Sequence, residues 1–455
     1  MRIDDVGIRA GVALTWLLLA ALAPTRAADA PDPAAVERGR RLMEGRQFLS
    51  AEWSDAAYKA VGRLWDEPGP DPDADPEGYA RAFAGRYGFH PAPFPNDGLP
   101  MGLKRAEGAD GTARGFQVDC LVCHGGSIGG KSYVGMPNTR IDYAGFFPDL
   151  FRADGRPLPL LPFVLNTTRG TTNAGMFSMA LLSLRNPDLS RRVLPLPMGS
   201  NLPELDAPAW WLLKYKETMY HDGRTPAASA RSIMQFLMAD KTAEEFRELE
   251  PDFADIHAYI RSIEAPKYPF PIDRAAADRG RAVFEESCAS CHGTHGDTVD
   301  YPNVVVPLDV IGTDPARVTG MSDRAVEYYN STWFGEKHPA DMTGERGYQA
   351  PPLVGIWASA PYLHNGSVPT LRLLLDSRSR PRRYLRPPST DFEHYDTRDV
   401  GWKYVEAPEG ESPDPKDPRR LFDASRYGLG IGGHAFGDKL EEAQRSDVIE
   451  YLKTL

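Results

Sequence analysis

The chain contains four cysteines, and all four fall in two copies of C-x-x-C-H: Cys120-Leu-Val-Cys123-His124 and Cys288-Ala-Ser-Cys291-His292. Two thiols three residues apart, followed at once by an imidazole, sit on a single helical turn. That spacing suits thioether attachment of haem with the histidine as iron ligand. A thioredoxin-like redox pair, half of a zinc site or a disulfide would use the same cysteines differently. The second copy, the lack of a leftover cysteine and an export signal at the amino terminus favour haem. Cys120, Cys123, Cys288 and Cys291 are therefore expected to carry two covalently bound haem c groups, with His124 and His292 as proximal iron ligands.

Elements that would position these motifs also occur twice. "ERGRRLM" at Glu37 is matched by "DRGRAVF" at Asp278 as an amphipathic helix start. An Ala-Pro pair lies fourteen residues before a His-x-Gly in both "DAPAWWLLKYKETMYHDGRTP" and "QAPPLVGIWASAPYLHNGSVP". "DIHAYIRSI" is matched by "DVIEYLKTL", so that Ile256, Ile260 and Ile263 correspond to Val448, Leu452 and Leu455, the apolar stripe of a closing helix. The pattern predicts a mainly α fold: a tandem duplication of two cytochrome c-like haem domains, with long loops and insertions in the first. The expected units are residues 29–264 and 274–455, joined by the Pro-rich linker 265–273, "APKYPFPID". In the first unit about eighty residues separate the opening helix from Cys120, enough to cover a haem. A second insertion, from "YVGMPNTRIDYAGFFPDLF" through "LPLLPFVLNTTRGTTNAGMFSMALL", is apolar and small-residue-rich and suits a pocket.

Composition narrows the function class. A net charge of −11 argues against nucleic acid as a partner. Residues 1–28 have the charged start, short apolar run and small-residue end of a secretory signal, which predicts a periplasmic or secreted protein. No later segment reaches eighteen uninterrupted apolar residues, so no stable membrane span is expected after cleavage.

With "APYLHNGSVPTL" beside both C-x-x-C-H motifs, the chain resembles the bacterial di-haem cytochrome c peroxidase superfamily. It looks most like the rubber oxygenase branch, through "YPNVVVPLDVIGTDPAR", "APAWWLLKYK", "ARSIMQFLM" and "GHAFGDKLEEAQRSDVIEYLKTL". The resemblance implies two cytochrome c domains with one haem each, and allows a calcium ion between them. In the superfamily a Met or Tyr lies about fourteen residues beyond the position of His364, but here that place falls in "LLDSRSRPR", which has neither. His434, in the Gly-rich "GLGIGGHAFG", is the expected sixth ligand of the second haem, as a bis-histidine site in the rubber oxygenases also implies. His364, His394 and Tyr384 are the other candidates.

At the first haem the superfamily's distal Gln and Glu would fall on Arg231 and Lys241, with Gln235, Glu244 and Glu245 close by in sequence. The region is instead aromatic, which makes Trp210, Trp211, His221 and Phe236 the distal or inter-haem candidates. His221 either ligates the first iron or lies between the haems, the second being favoured. The expected protein is an exported di-haem c-type cytochrome oxidoreductase. Haem 1 would be open for oxygen in the rubber oxygenase manner, with dioxygen and an apolar substrate as partners. Haem 2 would be six-coordinate and transfer electrons. The alternatives are a cytochrome c peroxidase that reduces hydrogen peroxide, with Glu244 or Glu245 in the acid–base role and electrons from a small cytochrome or copper protein, and a non-catalytic di-haem electron carrier with His221 and His434 as sixth ligands.

Overall fold

The computed structural model describes residues 30–109, 111, 114–159, 161–410 and 414–455, so the signal expected at 1–28 lies outside the described residues. Helix exceeds strand, and the strands are short. Two helix pairs frame the chain. The first-half opening helix Pro33–Gly45 starts on an Asp32 N-cap with proline in its first turn. It packs on the closing helix Ala243–Ser262, which begins with a Thr242/Glu245 capping box. In the second half, Arg274–Ser287, capped by Asp273, packs on Glu442–Leu452.

Both crossings use the same device. A Cβ on Gly39 would overlap the Asp255 carbonyl, and one on Gly280 would overlap the Asp447 carbonyl, so glycine lets each opening helix touch its partner's backbone. The preceding arginine then forks onto the same aspartate: Arg38 onto Asp255 at 2.6 and 2.8 Å, Arg279 onto Asp447 at 2.9 and 2.7 Å. Of the matched stripes, Ile256, Ile260, Val448 and Leu452 are buried as expected. Ile263 and Leu455 fall just beyond the helix ends and are only partly buried.

The insertion before Cys120 folds on itself. Strands Trp53–Ser54, Leu103–Glu107 and Arg114–Val118 form an antiparallel sheet with Arg114–Val118 in the middle. Trp53, Tyr79, Phe83, Phe116 and Phe146 form a core beside it. That core packs behind Val122 and Cys123; Trp53 and Trp65 are inside it instead of over the cavity described below. The second insertion supplies the helix Ala174–Ser183, one side of which lines that cavity.

The linker separates the matched helix pairs but not the cores. Ala325, Tyr329, Trp333 and Phe334 from beyond the linker pack with Leu182, Met234, Leu237 and Phe246. In return Ile128, Met136 and Trp211 pack with Trp357, Leu371 and Val448. Among the described residues, no helix is long and apolar enough to cross a membrane.

Candidate functional site

Each C-x-x-C-H forms one helical turn, Leu121–His124 and Ala289–His292, closed by His124 N–H donating to Cys120 O at 3.1 Å and His292 N–H to Cys288 O at 3.0 Å. All four thiols are free of disulfides. Both imidazoles are oriented identically: His124 Nδ1 lies 3.1 Å from the Pro208 carbonyl and His292 Nδ1 lies 2.8 Å from the Pro351 carbonyl. These are the prolines of the repeated Ala-Pro. A carbonyl can only accept, so it fixes the proton on Nδ1 and leaves the Nε2 lone pair free for a metal. Burial keeps both rings neutral, with His124 pushed down to about 4 and His292 also lowered.

Cys123, His124, Cys288, Cys291 and His292 line one continuous cavity of about 610 Å³, whose wall is mostly apolar. His434 also lines it, with its ring centroid 6.1 Å from that of His292. Metal–imidazole bonds are about 2 Å long, and each nitrogen is about 1.1 Å from its ring centre, so an iron between two imidazoles spaces the centroids by about 6 Å. Burial pushes His434 down to about 3, and its Nδ1 is buried without a partner. Thiols, oriented imidazoles and an apolar cavity together fit a covalently held haem.

The loop carrying His434 is held by backbone contacts. His434 sits at φ 46° and its N–H donates to Ile311 O at 2.7 Å. Arg380 donates to the carbonyls of Ile431 and Gly433 at 2.8 and 2.7 Å and to that of His434 at 3.3 Å. Asn365, of the second His-x-Gly, donates to Gly428 and Gly430 at 3.0 and 2.9 Å. Arg380 belongs to "LLDSRSRPR", so the stretch that lacks a Met or Tyr ligand clamps the loop that offers His434.

The other expected residues divide. Trp210 stacks on His124, centroids 4.7 Å apart at 23°, so it covers a face of that ring and not the edge where a metal would bind. Trp211 is absent from the cavity wall; its ring is buried and Nε1 donates to Val354 O at 2.9 Å. Phe236 also lies off the cavity, against Phe253. His221 does line it, with Nε2 3.0 Å from the Asp206 carbonyl and its ring 6.2 Å from that of His364. That spacing would also admit a metal, but the His221 Nε2 is engaged and His364 is stacked on Tyr348 at 4.0 Å. His394 pairs with Glu393 at 3.1 Å and Tyr384 donates to Gly366 O and Ser367 O at 3.3 and 3.2 Å; both lie away from the cavity.

Arg231 is held by Glu250 and Glu336 at 2.8 and 2.9 Å, and Lys241 is 3.6 Å from Glu245. Neither lines the cavity, nor does Glu244 or Glu245, whereas Gln235 does. The residues that sequence reasoning missed are Arg380, the Pro208 and Pro351 carbonyls, and Asp206. Asp206 lines the cavity, and burial pushes its carboxyl up to about 8. For the calcium that the resemblance allows, no group of three or more His, Cys, Asp or Glu converges among the described residues.

Comparison with known proteins bears on this site at one segment. Residues 347–385 match the RoxA-like, cytochrome c-like family. The match spans the Pro351 carbonyl, His364 and Arg380, and a cytochrome c-like region implies covalently bound haem c. The chain is 33% identical over 235 residues to the uncharacterized protein y4iM of Sinorhizobium fredii, covering 43% of this chain and 52% of that one. It is 27% identical over 260 residues to y4iJ of the same organism, covering 42% and 41%. The chain thus spans about half the length of these relatives or less. A MauG-like protein associated with microbial copper homeostasis aligns over 61% of this chain and 80% of its own, at 18% identity. Its TM-score of 0.30 is too low to support a shared fold.

Proposed function

We propose that the protein is an exported di-haem c-type cytochrome oxidoreductase of the di-haem cytochrome c peroxidase-type superfamily, built from a duplicated haem-binding unit. Cys120, Cys123 and His124 hold one haem, and Cys288, Cys291 and His292 hold the other. The observation that carries this reading is the contrast between the two histidines. His292 faces His434 at a spacing an iron can bridge, whereas the ring contact of His124 among the described residues is with Trp210. The second haem, closed by His434, would supply electron transfer, and the first, left open, a site where dioxygen is activated.

The chain's own residues define what else happens there. The Pro208 and Pro351 carbonyls hold the Nδ1 protons. Met179, Leu202, Leu205 and Ile233 line the cavity, exclude water and suit an apolar substrate. By resemblance that substrate is an unsaturated hydrocarbon, and the region of action is the periplasm or outside the cell. Peroxide reduction fits less well, because the carboxylates nearest the aligned acid–base positions, Glu244 and Glu245, lie off the cavity with Arg231 and Lys241, leaving Gln235, which has no proton to transfer at neutral pH, and the carboxyls of Asp206 and Asp222 elsewhere in the sequence; general acid–base help contributes about 10²–10⁴ in rate. A plain electron carrier fits less well too, since it would need His221 over His124, and the His221 Nε2 faces the Asp206 carbonyl. The test is oxygen consumption with polyisoprene against peroxide-dependent oxidation of a reduced small cytochrome or copper protein. Oxygen uptake with little peroxide turnover supports the proposal, and the reverse favours a peroxidase.

A further inference from the structure

The cavity is mostly apolar, but its charged wall residues have an uneven sign. Among the described residues lining it, the cations are Lys216, Arg224 and Arg317 and the anions are Asp206 and Asp222, in a chain whose net charge is −11. Arg317, on the short helix Ala316–Thr319 of the second half, reaches Asp222 of the first half at 3.0 Å, both side chains being nearly fully buried at 10% and 3%. Its Nη1 is buried with no hydrogen-bond partner. A guanidinium keeps its charge in any protein and carries five donors, so a buried one with a donor unused is incompletely matched. Lys216, partly exposed, lines the same wall; desolvation there pushes it down to about 8, with Asp222 opposing that shift. Asp222 thus pairs with Arg317 and acts on Lys216 only through space.

We propose that Arg317 and Lys216 form a carboxylate-binding site at the seam between the two halves, occupied by propionate groups of the covalently held haem. This rests on the di-haem reading above. A haem has an apolar face and an edge bearing two carboxylates, and the cavity offers a mostly apolar wall that also carries cations. Arg317 presents a planar fork that matches a carboxylate, and Lys216 a point charge on the same cavity wall. Because the two cations come from opposite halves, a carboxylate there ties the halves together in the loaded protein. A free carboxylate solute has the same chemistry and is the competing occupant.

The test uses the matured holoprotein with Arg317→Gln, Lys216→Gln and the charge-conserving Arg317→Lys. Two haem masses per chain are verified first; fewer in the unmodified protein would refute the di-haem reading and not this site. Potentiometric titration and resonance Raman propionate bending bands are then recorded. Loss of a positive charge beside a propionate favours the ferric state, so each Gln variant should lower the potential of at least one haem and move a propionate band. Arg317→Lys, which keeps the charge and loses the fork, should hold the potential close to that of the unmodified protein while still moving a propionate band. Unchanged propionate bands in both Gln variants, with or without a shift in potential, would overturn the proposal. Should Arg317→Gln fail to fold, Lys216→Gln carries the same two readouts. Acetate titrated calorimetrically into the unmodified holoprotein should show no saturable binding. Saturable binding that Lys216→Gln or Arg317→Gln abolishes would give the site to a free carboxylate and overturn the propionate assignment.

Discussion

The two halves agree where they hold a helix or the histidine of C-x-x-C-H and differ in what faces that histidine. Gly39 and Gly280 make the same backbone contact, Arg38 and Arg279 the same fork, and Pro208 and Pro351 the same carbonyl acceptor. Beyond that frame, the second half brings a clamped loop with His434 to His292, while the first half brings the helix Ala174–Ser183 and apolar side chains to its side of the cavity. Parts that hold a cofactor are constrained by its chemistry and repeat. Parts that govern access to it are loops and insertions, and they diverge.

Removing the thiols should separate the two halves most severely. Cys288→Ala with Cys291→Ala should remove one haem mass and leave a protein that still binds carbon monoxide, whereas Cys120→Ala with Cys123→Ala should remove one mass and abolish carbon monoxide binding. Mass spectrometry with reduced-minus-carbon monoxide spectra reads both. Next in size is Gly280→Ala, and Gly39→Ala should match it. Alanine would gain about 1 kcal/mol of helix propensity, but its Cβ overlaps a carbonyl, and overpacking typically costs about 1–3 kcal/mol. Both variants should therefore be less stable in thermal unfolding, by similar amounts; a stabilised variant would contradict the crossing.

Arg380→Ala sharpens the difference between the halves. It leaves three carbonyls of the loop at 431–434 without their donor, so His434 should be displaced in part of the molecules, read as a mixed-spin ferric spectrum from the second haem. A fully low-spin spectrum would remove Arg380 from that role. The smallest effect expected is from Lys241→Glu. Although it restores a carboxylate at the position aligned with a peroxidase acid–base group, the side chain lies off the cavity, so peroxide turnover should stay unchanged within error.

Much of this frame was legible in the residues because it recurs. C-x-x-C-H, the Ala-Pro spacing and the closing-helix stripe each occur twice, and repetition points to constraint without naming its cause. The Ala-Pro signal was visible, but its purpose, a backbone acceptor for the histidine Nδ1, appears only when residues 84 positions apart in the first half are seen together. Adjacent aromatics misled in a different way. Trp210 and Trp211 lie on the 3₁₀ segment Trp210–Tyr215, where neighbours point in different directions, so one stacks on His124 and the other reaches Val354 O in the opposite half. Arg380 had a faint signal, an arginine-rich stretch where a ligand was missing. Packing of Trp333 and Phe334 into the first-half core had none, because nothing local in a sequence encodes which distant surface a short helix will cover.

In the function proposed above, one iron is closed by His434 and the other is open. Stoichiometric carbon monoxide titration of the reduced holoprotein tests it most directly, in the unmodified chain and in His434→Ala. One carbon monoxide should bind per two haems in the unmodified chain and two in His434→Ala. Binding of none, or of two without the substitution, would contradict it.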